Sequence, residues 1–218
     1  MLCRMFKVIS PIRLPVVILV ALLLQCTAVY AEGSPIDVLK GMSDRVIAIV
    51  EQDPDILNDK ARMRTVADAI IVPNVDFVVF SRWVLGKHWR RATPEQREMF
   101  IARFRETLIN SYLSSITRDD YRNQTIRYES LRNQDTDKAV VDATIEQPNG
   151  PLIHVQFRMY NNDGHWLVYD VVVEGVSLVT THRSNFSSII REKGLDGLIA
   201  MLEERVASSA GQAGSGAQ

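Results

Sequence analysis

Residues 139–173 read AVVDATIEQPNGPLIHVQFRMYNNDGHWLVYDVVV, and this stretch decides the fold. Ala139, Val141, Ala143 and Ile145 alternate with Val140, Asp142, Thr144 and Glu146, a period of two that belongs to a pleated strand. Pro148-Asn149-Gly150 turns the chain. Ile153, Val155, Phe157 and Met159 then alternate with His154, Gln156, Arg158 and Tyr160, and Asn161-Asn162-Asp163-Gly164 turns it again. In the third run Leu167, Tyr169, Val171 and Val173 alternate with Trp166, Val168, Asp170 and Val172. Here the second face is also largely apolar, so this strand is either covered on both sides or has one face on a cavity.

A further strand is expected before this meander, at Thr125–Arg132, and a short apolar one after Gly175, at Val176–Val179. The rest of the chain keeps the helical period. Ser34-Pro35-Ile36-Asp37 is a helix start, followed by Leu39, Met42, Val46 and Ile49 at helical spacing. A second helix is expected from about Asn58 to Ile71, stopped by Pro73. Val75, Val78, Val79, Arg82 and Trp83 fit a short helix ending near Gly86. Thr93-Pro94-Glu95-Gln96 carries a capping-box glutamine, and Phe100, Phe104, Leu108, Tyr112 and Ile116 follow it at four-residue steps. That row reads as a core stripe or as part of a cavity lining. Ser184 is expected to cap a helix ending at Gly194, and Leu195 to Val206 form a last amphipathic one. The predicted class is α+β, a curved antiparallel sheet of about four to five strands packed against helices.

The ends of the chain read differently. Arg4, Lys7 and Arg13 precede an apolar run, Leu14–Leu24, and Val29-Tyr30-Ala31 offers a cleavage site, so residues 1–31 read as a cleaved signal peptide. The run is about 11 residues, against roughly 20 needed to span a bilayer. Residues 32–207 then form one domain, and the Gly/Ala/Ser-rich residues 208–218 a disordered tail. Cys3 and Cys26 lie within the leader, which leaves the remaining chain without disulfides or thiol chemistry. Without Arg4, Lys7 and Arg13, 22 basic residues of the 25 face 26 acidic ones, a net charge near −4. That balance speaks against nucleic acid as a partner.

Little in the chain points to chemistry. His88, His154, His165 and His182 have no metal-ligand spacing, so no metal or cofactor is expected. Gly175-Val176-Ser177 lacks the last glycine of a nucleophile elbow. Asp170 and Glu174 share a strand face at a spacing of four. A carboxylate in a dry cavity would act as a base, which suits an isomerase or dehydratase. Alternatively, Asp170 faces a covering arginine and Glu174 ends the strand. Arg82, Arg90 and Arg91, beside Trp83 and Trp89, read as a contact for an anionic headgroup or as a solvated helix end.

FSRWVLGKHWRRATPEQREMFIARFRETLINSY followed by YDVVVEGVSLVTTHRSNF resembles the MlaC / toluene-tolerance family of periplasmic lipid carriers. The resemblance covers about Pro35 to Arg205 and departs at His182, where the family usually has tyrosine. It implies a periplasmic carrier, not an enzyme, that maintains outer-membrane lipid asymmetry. Such a carrier holds phospholipid acyl chains in an apolar pocket of NTF2-like or cystatin-like character, and a related branch implies hopanoids as the alternative ligand. Implied partners are an inner-membrane ABC transporter with an MCE-domain subunit and an outer-membrane lipoprotein–porin complex, the carrier itself being monomeric. With periodicity, the resemblance selects Phe80, Trp83, Phe100, Phe104, Leu108, Tyr112, Val155, Phe157, Tyr169, Val171 and Val173 as candidate pocket walls. Arg82 and Arg90 are the candidate headgroup contacts.

Overall fold

The computed structural model describes residues 33–115, 124–135, 137–147 and 150–214. Helix α1 spans Pro35–Gln52. The Ser34 hydroxyl accepts the Asp37 N–H, and the Asp37 carboxylate accepts the Ser34 N–H, so the capping box closes as expected. After a 3₁₀ turn at Pro54–Asn58, α2 (Lys60–Val66) is capped by Asp59 and widens into a π-turn at Ala67–Ile71. Helix α3 (Phe77–Leu85) starts on Asp76, whose carboxylate accepts the Val79 N–H. Helix α4 (Pro94–Ser115) starts on the Thr93–Gln96 pair, each side chain bonded to the other's backbone N–H.

The five strands are β1 (Thr125–Asp135), β2 (Lys138–Glu146), β3 (Ile153–Asn162), β4 (His165–Val173) and β5 (Val176–Ser177). They form one sheet in sequence order, every neighbour antiparallel. The β3–β4 turn carries Asp163 at φ 50° and Gly164 at φ 91°, the left-handed pair that a two-residue hairpin requires. The expected turn at Pro148 and Asn149 lies outside the described residues, as do the leader at 1–31 and Ile116. Helix α5 runs Leu178–Gly214 and is broken at Gly194 (φ 72°, ψ 176°).

Three local readings differ. The second apolar strand stops at Ser177, and α5 begins at Leu178 rather than Ser184. The Ser177 hydroxyl accepts the Thr180 N–H and caps the helix, which converts an apolar run into a first turn. The helix also continues to Gly214, so residues 208–214 are helical where a tail was expected. In α3 the buried residues are Phe80, Ser81, Val84 and Leu85, while Val78 and Trp83 point outward. Both sides of α3 are apolar, so periodicity alone did not choose between them.

The apolar interior forms three clusters. One joins α3, α4 and α5 around Phe80, Phe100, Phe104, Phe186, Leu198 and Leu202. A second seats Leu39 of α1 on Val141, Met159 and Val168 of the sheet. The third closes Val50, Ile56 and Met63 together, with Leu113 against them. Helix α1 therefore has one end in the sheet cluster and the other in the α2 cluster.

Candidate functional site

The site starts from the strand register. Ala139 faces Met159, Val141 faces Phe157 and Ala143 faces Val155 across β2–β3; Phe157 faces Val171 and Val155 faces Val173 across β3–β4. Side chains alternate along each strand, so these residues share one apolar sheet face. A bulge then interrupts β4: Arg158 pairs with Asp170 but Met159 pairs with Val168, leaving Tyr169 as the extra residue. The bulge brings Trp166 and Val168 onto the face of Val171 and Val173. It takes Tyr169 out of the alternation, and the expected single row Leu167–Tyr169–Val171–Val173 does not form.

Covering helices close this face unevenly. Leu39 is buried on Val141, Met159 and Val168. The Tyr128 hydroxyl donates to the Leu39 carbonyl (3.2 Å), and Ser43 Oγ lies 3.1 Å from it, which anchors α1 over β1. Phe157, Val171 and Val173 are only partly buried. The sheet's main helix contacts are with α1, α3 and the start of α5, whereas α4 packs chiefly on α2, α3 and α5. The sheet and the helices thus form two apolar layers, with Val75 packed against both. Within the helical layer, Arg64 pairs with Glu106 (2.6 Å) and Asp68 (2.8 Å), and Arg105 also reaches Asp68 (3.2 Å). Paired carboxylates hold the Arg64 guanidinium even more firmly protonated than usual, Glu106 being the larger influence. No apolar periodicity signals this polar tie between α2 and α4.

The candidate wall residues fall into distinct groups. Val155, Phe157, Val171 and Val173 lie on the sheet face just described. Phe80, Phe100, Phe104 and Leu108 are buried in the helical cluster, where Phe100 stacks on Phe104 at 5.4 Å and Phe80 meets it edge-on at 5.5 Å. Trp83 and Tyr112 are exposed, at 51% and 47%. Arg82 and Arg90 are exposed too. Tyr169 lies between Trp83 (6.5 Å) and Tyr160 (6.2 Å). Tyr160 donates its hydroxyl to Asp76, and burial together with that carboxylate pushes its pKa up to about 12.

Asp170 is 1% exposed and fully engaged. It accepts from Arg158 Nη1 (3.0 Å), the Ser177 hydroxyl (2.7 Å) and the Val179 N–H (3.0 Å). This ties β4, β3 and the start of α5 into one corner, the arrangement of a structural carboxylate. Glu174 (φ 50°) and Gly175 (φ 78°) form the turn into β5, where the Glu174 carboxylate accepts the His154 N–H. The two carboxylates therefore serve a corner and a turn. Among the described residues, no group of His, Cys, Asp and Glu is placed to hold a metal ion.

Known proteins share this arrangement of sheet and helices. The model of the family described as MlaC protein matches residues 40–204. The chain belongs to the MlaC family. It is 29% identical over 192 residues to the intermembrane phospholipid transport system binding protein MlaC of Haemophilus influenzae, covering 86% of this chain and 88% of that one. Toluene tolerance protein ttg2D of Pseudomonas putida is 27% identical over 170 residues, covering 76% and 77%. In structure, the MlaC-family chain superposes with a TM-score of 0.72 on a phospholipid-binding protein from Ralstonia solanacearum solved in complex with a phospholipid. That match is 31% identical and covers 79% of this chain and 97% of the other.

Proposed function

We propose that this MlaC-family protein is a phospholipid carrier that works between two membranes. The observation that carries the reading is the sheet face of Phe157, Val171 and Val173: apolar, inward, and left partly uncovered by the helices. Acyl chains complete such a layer. Each buried CH₂ favours leaving water by about 0.8 kcal/mol, so two chains with roughly 30 such groups face a desorption barrier on the order of 20 kcal/mol. A carrier lowers that barrier by offering an interior nearly as apolar as the bilayer, and it needs no reactive group. The engagement of Asp170 with three donors supports carriage over cavity catalysis.

In the same reading residues 1–31 are a cleaved leader, the carrier works in the periplasm, and the lipid exchanges with an inner-membrane ABC transporter bearing an MCE-domain subunit and an outer-membrane lipoprotein–porin complex. Among the described residues no helix is long and apolar enough to cross a membrane. The test is native mass spectrometry of the protein purified without detergent, with transfer from labelled vesicles measured in parallel. A co-purified phospholipid mass is expected. Phe157→Asp, which places a charge among the acyl chains, should reduce lipid occupancy at least tenfold, since an unpaired buried charge costs several kcal/mol. A lipid-free wild type that takes up no labelled lipid refutes the assignment.

A further inference from the structure

Helix α3 buries one apolar stripe and leaves two large apolar side chains on its outward side. These are Val78, 50% exposed, and Trp83, 51% exposed. The Trp83 indole is not loose: it stacks on Tyr169 at 6.5 Å with 27° between planes, and the Arg183 guanidinium lies 5.9 Å from its ring centre. Arg183 Nε also donates to the Trp83 carbonyl at 2.7 Å. Further cations follow in the same segment of the chain. Arg82, Lys87, Arg90 and Arg91 are all exposed, and the sequence has no Asp or Glu between Asp76 and Glu95. The two nearby carboxylates are committed, Asp76 to the Val79 N–H and the Tyr160 hydroxyl, Asp170 to its buried corner. A chain with formal net charge −1 thus has four cations and no carboxylate in the segment, from Phe77 to Pro94, that carries this exposed tryptophan.

Aromatic rings with polar tips favour the headgroup zone of a bilayer, and clustered Lys and Arg are drawn to anionic lipid. We infer that the outward face of α3 and the turn after it dock on an anionic phospholipid surface. Trp83 and Val78 enter the headgroup level, and Arg82, Lys87, Arg90 and Arg91 meet the phosphates. An acidic protein surface would match the charge, but two apolar side chains on a convex helix are too few for the buried centre of a stable protein interface. A bilayer accepts shallow insertion of that kind. Attachment through one tryptophan and a few cations is weak and reversible, which suits a protein that must leave again. Only outward residues set this face, so the docking is independent of what fills the interior.

The test is flotation of the full chain, as exported and processed by an expressing bacterium, with vesicles of phosphatidylethanolamine and phosphatidylglycerol. Vesicles of phosphatidylcholine are run beside them, and co-purified lipid is measured on the same samples. The wild type should float with the anionic vesicles, less so as salt rises. Trp83→Ala should float much less. In the double variant Lys87→Gln/Arg90→Gln each lost charge should lower vesicle affinity about fivefold. Arg45→Gln, which removes one charge from exposed α1, should float as the wild type does. Should Trp83→Ala fail to fold by circular dichroism, the exposed Lys87/Arg90 pair still decides. Absent flotation of the wild type, undiminished flotation of the patch variants, equal loss in Arg45→Gln, or binding to an acidic protein surface without vesicle binding each overturns the docking.

Discussion

His182 shows how much one ring can set. It meets Phe104 at 5.2 Å and Phe186 at 5.4 Å inside the helical layer. Burial holds its pKa below the ordinary imidazole range, and repulsion from Arg205 adds to this. The folded chain therefore releases this proton more readily than the unfolded chain. The linked stability is full above about pH 6.5 and declines as pH falls through that value toward the folded-state pKa. His88, also lowered by burial and by Lys87 and Arg91, adds in the same direction. Thermal unfolding of His182→Phe should lose less stability than the wild type between pH 7 and about 5.5; identical pH profiles would contradict this. Asp170→Asn is a second residue-scale case. Leaving Arg158 and two further donors short of a carboxylate should cost about 2 kcal/mol in urea unfolding, a modest figure because the Arg158 end is partly solvated. An unchanged midpoint would return Asp170 to the list of functional carboxylates.

At the scale of elements, legibility followed how many patterns each segment fits. Strands β2 and β3 and the start of α4 were readable because one period or one capping box dominates. The β4 bulge was not, because a one-residue mismatch is decided by the partner strand and leaves no mark in β4 itself. Helix α3 was hard to read because both its sides carry apolar residues, and Trp83, a candidate wall, is half exposed. The Val176–Val179 run misled because strand and buried first turn look alike when apolar. Glycine was the more dependable signal. Gly194 was expected to stop a helix, and it breaks α5 at φ 72°, ψ 176°, a conformation essentially confined to glycine. Phe186 enters the aromatic cluster before this break and Leu198, Ile199 and Leu202 beyond it. A Cβ at Gly194 would meet nothing within 4 Å, so Gly194→Ala tests the backbone alone. It should destabilise the chain by about 1–3 kcal/mol in chemical denaturation; a neutral result would mean that Leu198 and Leu202 reach the cluster without the bend.

For the whole molecule, the division into clusters has a consequence that no single element shows. A close-packed domain usually has one contiguous core, whereas here the buried residues of the sheet and of the helices form two clusters joined through the partly buried Val75. In the sequence, an apolar second face on a strand and the family resemblance point to a gap between layers only as an expectation, because such a gap depends on which surfaces meet in space. Residues lining such a gap lack partner atoms on one side and gain them when acyl chains enter. Ligand that binds only the folded state then raises its stability. If phospholipid fills the space between Phe157, Val171 and Val173 and the helices, stripping it should lower the melting temperature by about 2–4 °C for each kcal/mol of binding lost. The stripped protein should bind an apolar dye, and adding phospholipid should restore the original transition and expel the dye. A stripped chain that melts as before and takes up no dye would mean that the two layers already close on each other, and the carrier reading would fail at its physical base.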